Sequence, residues 1–220
     1  MKLVIFDCDG TLVDSQHLIV AAMNQAFEAN GLAPLAREKV LSIVGLSLPL
    51  AIEMLIPHET PSCIAAVTEG YRGAFGVLRR DPSHNEPLYP GVLELITALS
   101  AQDGVLLGVA TGKSIRGVDA LFERMNLGAH FHTIQTADTH PSKPHPSMVL
   151  RAMEEAGADP RDTIMIGDTT YDIEMARRAG VAPIGVTWGY HPVVSLRDAG
   201  AIDIAHDADD LGRMIMAKYA

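Results

Sequence analysis

An open α/β sheet, doubly wound and mainly parallel, with an all-α insertion after its first strand, follows from three features of these 220 residues. From residue 90 onward, short runs rich in Val, Ile and Leu alternate with helical patterns, as βα units do. Between the first such run and residue 90 the alternation stops and only helical periodicity is found. Acidic, hydroxyl and amine residues follow the apolar runs directly, where the strands of such a sheet deliver their chemistry.

The first strand is the run Leu3-Val4-Ile5, ending in Phe6-Asp7-Cys8-Asp9-Gly10. Ser15 is placed to cap a helix running to about Asn30-Gly31, with Ile19, Met23, Ala26 and Phe27 on one face. Helical patterns follow at 34–44, 48–55 and 61–78, and the return segment 81–90 carries Pro82, Pro87 and Pro90, as a linker does. Four further strands are expected at 105–110, 131–135, 163–166 and 182–187. The helices between them span 92–101, 115–125, 145–156 and 169–179, the last ending at Gly180 with Arg177 and Arg178 where cations suit the helix dipole. The resulting division is a core of residues 1–14 and 87–220 interrupted by a helical segment, 15–86.

With 48% hydrophobic and 20% charged residues, the chain can bury a substantial core. A net charge of −10 without a Lys/Arg patch argues against nucleic acid and against an anionic membrane surface. Two cysteines, Cys8 and Cys63, make no disulfide framework, and no segment reaches the ~20 apolar residues of a membrane span. A cytoplasmic protein is expected. Nothing in the residues specifies an oligomeric state.

Four constellations carry candidate chemistry. Asp7 and Asp9 end the first strand; carboxylates there are costly unless something cationic binds them. Ala110-Thr111-Gly112-Lys113-Ser114 ends the second; a nucleotide P-loop would need glycine at Leu107, and the glycine stands one residue later, so what remains is a hydroxyl and backbone amides at a helix start, an anion site. Lys143, in Ser142-Lys143-Pro144-His145-Pro146, precedes a helix whose dipole it opposes, which asks for an anion nearby. Asp168 follows the fourth strand, with Asp172 one helical turn later. Taken singly, a turn, a cap, a solvated lysine and N-terminal acids would explain them. Together they occupy four successive strand ends that converge in one crevice. Four carboxylates against Lys143 need a divalent cation, and all-oxygen ligands suit Mg²⁺. Mg²⁺, a lysine and hydroxyl or amide donors around a free carboxylate fit phosphoryl transfer to aspartate.

With those residues in place, the sequence resembles the haloacid dehalogenase superfamily, and within it the phosphoglycolate phosphatase-like branch with a helical cap. The segment Asp7 to Ser15 matches the first motif, Thr111 the second, Lys143 the third, and Gly167-Asp168 with Asp172 the fourth. The resemblance implies a Rossmann-like core with the cap at 15–86 and hydrolysis of a small phosphate monoester. It further implies that Asp7 is the nucleophile and Asp9 the acid and base, that Thr111, Gly112 and Lys143 hold the phosphoryl oxygens, and that Mg²⁺ is held by Asp7, the Asp9 carbonyl and Asp168, with Asp172 behind them. Acid at Asp9 speaks against a dehalogenase, whose halide leaving group needs no proton. A β-phosphoglucomutase-like sugar phosphomutase shares these motifs, and a non-catalytic phospho-acceptor module would carry its aspartate on a later strand. Gly45-Leu46-Ser47 resembles a cap loop facing the site, and Arg72 is a candidate for a substrate carboxylate or cap closure, against a plain solvated arginine. Trp188 and Tyr190 are candidates for the crevice mouth. The histidines His130, His132, His140 and His145 lack the spacing of a zinc site.

Overall fold

The computed structural model describes residues 1–81 and 84–219. Pro82 of the return segment lies outside the described residues. Six parallel strands form one sheet in the order β3-β2-β1-β4-β5-β6: β1 (Lys2–Phe6), β2 (Val105–Thr111), β3 (Thr133–Thr136), β4 (Thr163–Gly167), β5 (Ala182–Val186) and β6 (Asp203–Ala205). The chain starts at the centre and winds outward twice, so the strand order reverses around β1, where crevices of such sheets form. Leu3, Val4, Ile5 and Phe6 of β1 are all buried, as expected of a strand covered on both faces.

Helices α1 (Gln16–Ala29), α2 (Arg37–Leu41), α3 (Leu48–Leu55) and α4 (Pro61–Leu78) follow β1 directly. They share their own core, built from residues such as Met23, Phe27, Val40 and Ile52. The two connections to the sheet lie side by side: Val13 pairs antiparallel with Leu88, and the Asp14 amide donates to the Pro87 carbonyl at 2.9 Å. Helices α5 (Val92–Ser100), α6 (Ile115–Met125), α7 (Ser147–Ala156), α8 (Thr170–Ala179), α9 (Val193–Ala199) and α10 (Ala208–Tyr219) complete the sheet's covering layers. No helix among the described residues is long and apolar enough to cross a membrane.

Several expected elements are displaced. β3 begins at Thr133, not at residue 131, because Phe131 turns into the core against Phe6 and Phe122, with ring centroids 6.4 and 4.9 Å away. The helix expected over 34–44 shrinks to Arg37–Leu41, since the chain then turns toward Gly45, at φ +100°. α7 begins at Ser147, so Pro144 and Pro146 precede it and do not form its first turn. Ser15 stands at the start of α1 without capping it; its hydroxyl donates to Asp9 instead. β6, α9 and α10 answer to no sequence expectation.

Candidate active site

Five of the anticipated residues meet at the carboxyl end of the sheet. Asp7 continues β1, its amide donating to the Ile166 carbonyl of β4 at 3.0 Å. Thr111 closes β2, Asp168 follows β4, and Asp172 lies in the first turn of α8. Lys143 comes from the loop after β3. All five are essentially out of contact with solvent.

Carboxylate oxygens of Asp7, Asp168 and Asp172 lie within 4.8 Å of one another. Asp172 is fully committed: Oδ1 accepts from Lys143 Nζ at 2.6 Å, and Oδ2 accepts from the Thr169 amide and hydroxyl at 3.0 and 2.7 Å in a capping box that starts α8. Asp168 accepts from the Thr11 hydroxyl at 2.9 Å and the Tyr190 amide at 2.8 Å. Asp7 is the exception. Lys143 Nζ is 2.8 Å from its Oδ1 as an ion-pair contact, yet neither Asp7 oxygen has an aligned hydrogen-bond partner among the described residues.

Burial pushes the Asp7 carboxyl up to about 6, against the nearby Lys143 ammonium and with the Asp172 charge. Burial also holds Asp168 well above the usual carboxylate range, reinforced by Asp172 and Asp7. Burial opposes the charge on Lys143, but Asp172 and Asp7 more than offset it and keep the ammonium protonated. Three buried carboxylates share one lysine, which leaves negative charge uncompensated, and neither Asp7 oxygen has an aligned hydrogen bond to offset it among the described residues. An oxygen-only donor set with spare charge fits a hard divalent cation such as Mg²⁺.

Close backbone approach explains why glycines surround these acids. At Gly10, φ is +89° and a Cβ would stand 2.2 Å from Asp168 Oδ2. At Gly189 it would stand 2.0 Å from the Asp168 Cβ.

A cavity of about 1070 Å³ opens over this cluster, between the strand ends and the helical insertion. Asp7, Asp9, Thr111 and Lys113 line its floor; Leu46 and Arg72 line its walls. The loop at Gly45 presses on the sheet: a Cβ on Gly112 would fall 2.6 Å from the Gly45 carbonyl oxygen. The Ser47 amide donates to Ser142 Oγ at 2.8 Å, next to Lys143.

Asp9 faces the cavity from a different side of the floor. Its Oδ1 accepts from Ser15 Oγ at 2.7 Å and Lys113 Nζ at 2.8 Å, so its side chain stays outside the three-acid cluster. Arg72 is exposed and paired with Glu69, one turn back on α4. The start of α6 is less open to anions than its sequence suggests, because Asp138 Oδ2 already accepts from the Ile115 amide at 2.7 Å. Trp188 donates from Nε1 to the Thr11 carbonyl at 3.1 Å and packs on the core beside Tyr89. Tyr190 shares a 3.0 Å hydrogen bond with Ser15. Each of the four histidines has a hydrogen-bond partner of its own kind: His130 the Ser100 hydroxyl, His132 the Glu155 carbonyl, His140 the Gln135 and Ser147 side chains, and His145 the Ser147 amide. Cys8 points into the core, where burial pushes its thiol up and keeps it inert.

Sequence reasoning missed Lys113, Glu86 and Thr11 as members of the site. Lys113 stood inside a segment already singled out, two residues after Thr111. Glu86 gave no signal, being one acid in a proline-rich linker.

Residues 4–186 match the family model described as haloacid dehalogenase-like hydrolase. The chain is 41% identical over 203 residues to the "Probable phosphatase IndB" of Dickeya dadantii, covering 90% of this chain and 86% of that protein. It is 36% identical over 206 residues to a phosphoglycolate phosphatase of Agrobacterium fabrum, covering 91% and 88%. The fold is similar to that of a hydrolase from Pseudomonas syringae, with a TM-score of 0.84, 27% identity and 99% of each chain covered.

Proposed function

Since this chain belongs to the haloacid dehalogenase-like hydrolase family and is a phosphatase like its relatives, we propose that it is a Mg²⁺-dependent phosphomonoesterase working through an aspartyl-phosphate. The observation that carries this reading is the buried Asp7 carboxylate at the floor of the cavity, ion-paired to Lys143 but without an aligned hydrogen bond among the described residues. Residues 15–86 act as a cap over it, and the protein works in the cytoplasm without nucleic-acid or membrane partners.

In this reading an Asp7 oxygen attacks phosphorus and the ester P–O bond breaks, while Asp9 gives its proton to the leaving oxygen. Asp9 then takes a proton from the water that attacks the aspartyl-phosphate, releasing phosphate and restoring Asp7. Thr111, the Gly112 backbone and Lys143 hold phosphoryl oxygens, and Asp172 keeps Lys143 aimed. Asp7, Asp168 and the Asp9 carbonyl would hold Mg²⁺, which supplies charge to offset the carboxylates and the phosphoryl oxygens. Arg72 is the wall residue assigned to the remainder of the substrate.

Phosphoglycolate is the first ester to try, since a relative of 36% identity carries that name. Purified protein with Mg²⁺ should release inorganic phosphate from a panel of small esters without a bisphosphate activator, and dependence on one would favour the sugar phosphomutase. Asp7→Asn should cost at least about a thousandfold in turnover. Substantial residual activity in that variant, or no turnover across the panel, overturns the reading.

A further inference from the structure

Lys113 has no part in the mechanism above, yet it is among the most tightly held side chains around it. Its ammonium is 2.8 Å from Asp9 Oδ1 and 2.9 Å from Glu86 Oε1, with its side chain 6% exposed and that of Glu86 1% exposed. The Nζ also stands 5.2 Å from the centre of the Phe75 ring on α4. Arg124 closes the set by donating to the Glu86 carbonyl at 3.2 Å and to its carboxylate at 3.4 Å. Burial works against the Lys113 charge, and Asp9 and Glu86 more than offset it.

The two bonds to Asp9, from Ser15 and Lys113, fall on the same oxygen. Its Oδ2 takes no protein hydrogen bond among the described residues. A carboxylate gripped at one oxygen from two directions is fixed in rotation, so its second oxygen has one place to be. Glu86 belongs to the connection through which the chain returns from the helices. That connection is laced to the outgoing one by the Asp14–Pro87 hydrogen bond and by the Tyr89 amide donating to the Leu12 carbonyl at 3.0 Å. Lys113 is thus pinned where both connections meet, under a ring carried by the insertion.

We propose that Lys113 is a positioning residue for Asp9, held in place by Glu86, so that the free Asp9 oxygen stays aimed into the cavity for proton exchange. The inference rests on the reading of Asp9 as proton carrier. A misplacement of about 1 Å is enough to cost on the order of a hundredfold in rate.

The test uses a leaving group that needs a proton and one that does not. kcat/KM, which reports formation of the phospho-enzyme, is measured for Lys113→Met on p-nitrophenyl phosphate and on the alkyl phosphate that the wild type cleaves fastest. The alkyl ester should lose about thirtyfold or more, and p-nitrophenyl phosphate less than about threefold. The retained p-nitrophenyl phosphatase activity certifies the fold. Because Lys113→Met removes the lysine from the buried Glu86 carboxylate, Lys113→Met/Glu86→Gln is measured alongside and should show the same selective loss. Equal losses on both esters, or none on either, overturn the inference. Asp9→Asn separates the two levels: if it fails to discriminate between the esters, the reading of Asp9 itself falls. If it discriminates and the Lys113 variants do not, only the role of Lys113 falls.

Discussion

Asp7 sits where neither solvent nor, among the described residues, an aligned hydrogen bond stabilises its charge, and its ionisation costs the fold stability. Its carboxyl is raised from an ordinary 3.8 to about 6, chiefly by burial. A carboxyl whose folded value lies above its unfolded one binds its proton more tightly when folded. The Asp7 contribution to metal-free stability therefore falls as pH rises from about 4 to about 6 and then levels off. Asp168, raised for the same reason, adds to the fall. Asp7→Asn should then melt several degrees above the wild type at pH 7.5 in EDTA and show little advantage at pH 4, by thermal denaturation. Added Mg²⁺ should raise the wild-type midpoint more at pH 7.5 than at pH 5, since binding to the folded state stabilises by mass action and needs ionised ligands. A variant that melts at or below the wild type in EDTA at pH 7.5 would count against a charge-strained Asp7. At this scale the sequence was informative wherever a side chain ends or directly follows a strand: Asp7, Thr111 and Asp168 are placed by β1, β2 and β4. It did not single out Lys113 within its segment and was silent on Glu86, because Lys113 reaches Asp9 across 104 residues and Glu86 across 27.

Elements meet at the site through backbone contacts that leave no room for side chains. Gly112, just after β2, is such a point: an added Cβ would stand 2.6 Å from the Gly45 carbonyl oxygen and 2.7 Å from that of Leu46. Neither atom can move without shifting the loop between α2 and α3. Gly112→Ala should therefore displace that loop, lowering kcat/KM by about tenfold or more as positioning is lost. Mg²⁺ affinity, measured by calorimetry, should stay within about threefold, because the proposed ligands Asp7, Asp168 and the Asp9 carbonyl follow β1 and β4 and are not part of that loop. An unchanged kcat/KM would mean that the loop yields freely. α3 and α4 were legible to the residue, each opening after a hydroxyl residue with a proline in its first turn. β6 was not, because its three residues, one of them the exposed Asp203, are too few to display a period. The 34–44 pattern overreached, because side-chain periodicity does not register the turn that leads to Gly45.

The whole molecule has two kinds of core. One set of apolar clusters covers the sheet on both faces, and another is internal to the helical insertion. The sheet holds the acids, whereas the insertion supplies much of the cavity wall. If that division is physical, damage to the insertion's core should separate metal binding from turnover. Phe27, 1% exposed at the centre of the insertion, is the place to apply it. Phe27→Ala should cost about 3–5 kcal/mol through lost burial and a cavity. It should lower kcat/KM, since the wall that excludes water is loosened. It should leave the Mg²⁺ dissociation constant of the folded protein within about threefold, since no acid of the cluster lies in the insertion. The contact with most power to defeat this is Tyr190, which packs against the insertion's core, shares a hydrogen bond with Ser15 and donates its amide to Asp168. A tenfold loss of Mg²⁺ affinity in Phe27→Ala would mean that Tyr190 transmits the damage to the acids. Recovery of turnover without recovery of that affinity, on adding a second substitution that refills the cavity, would then place the coupling in the 187–191 loop and not in the helices.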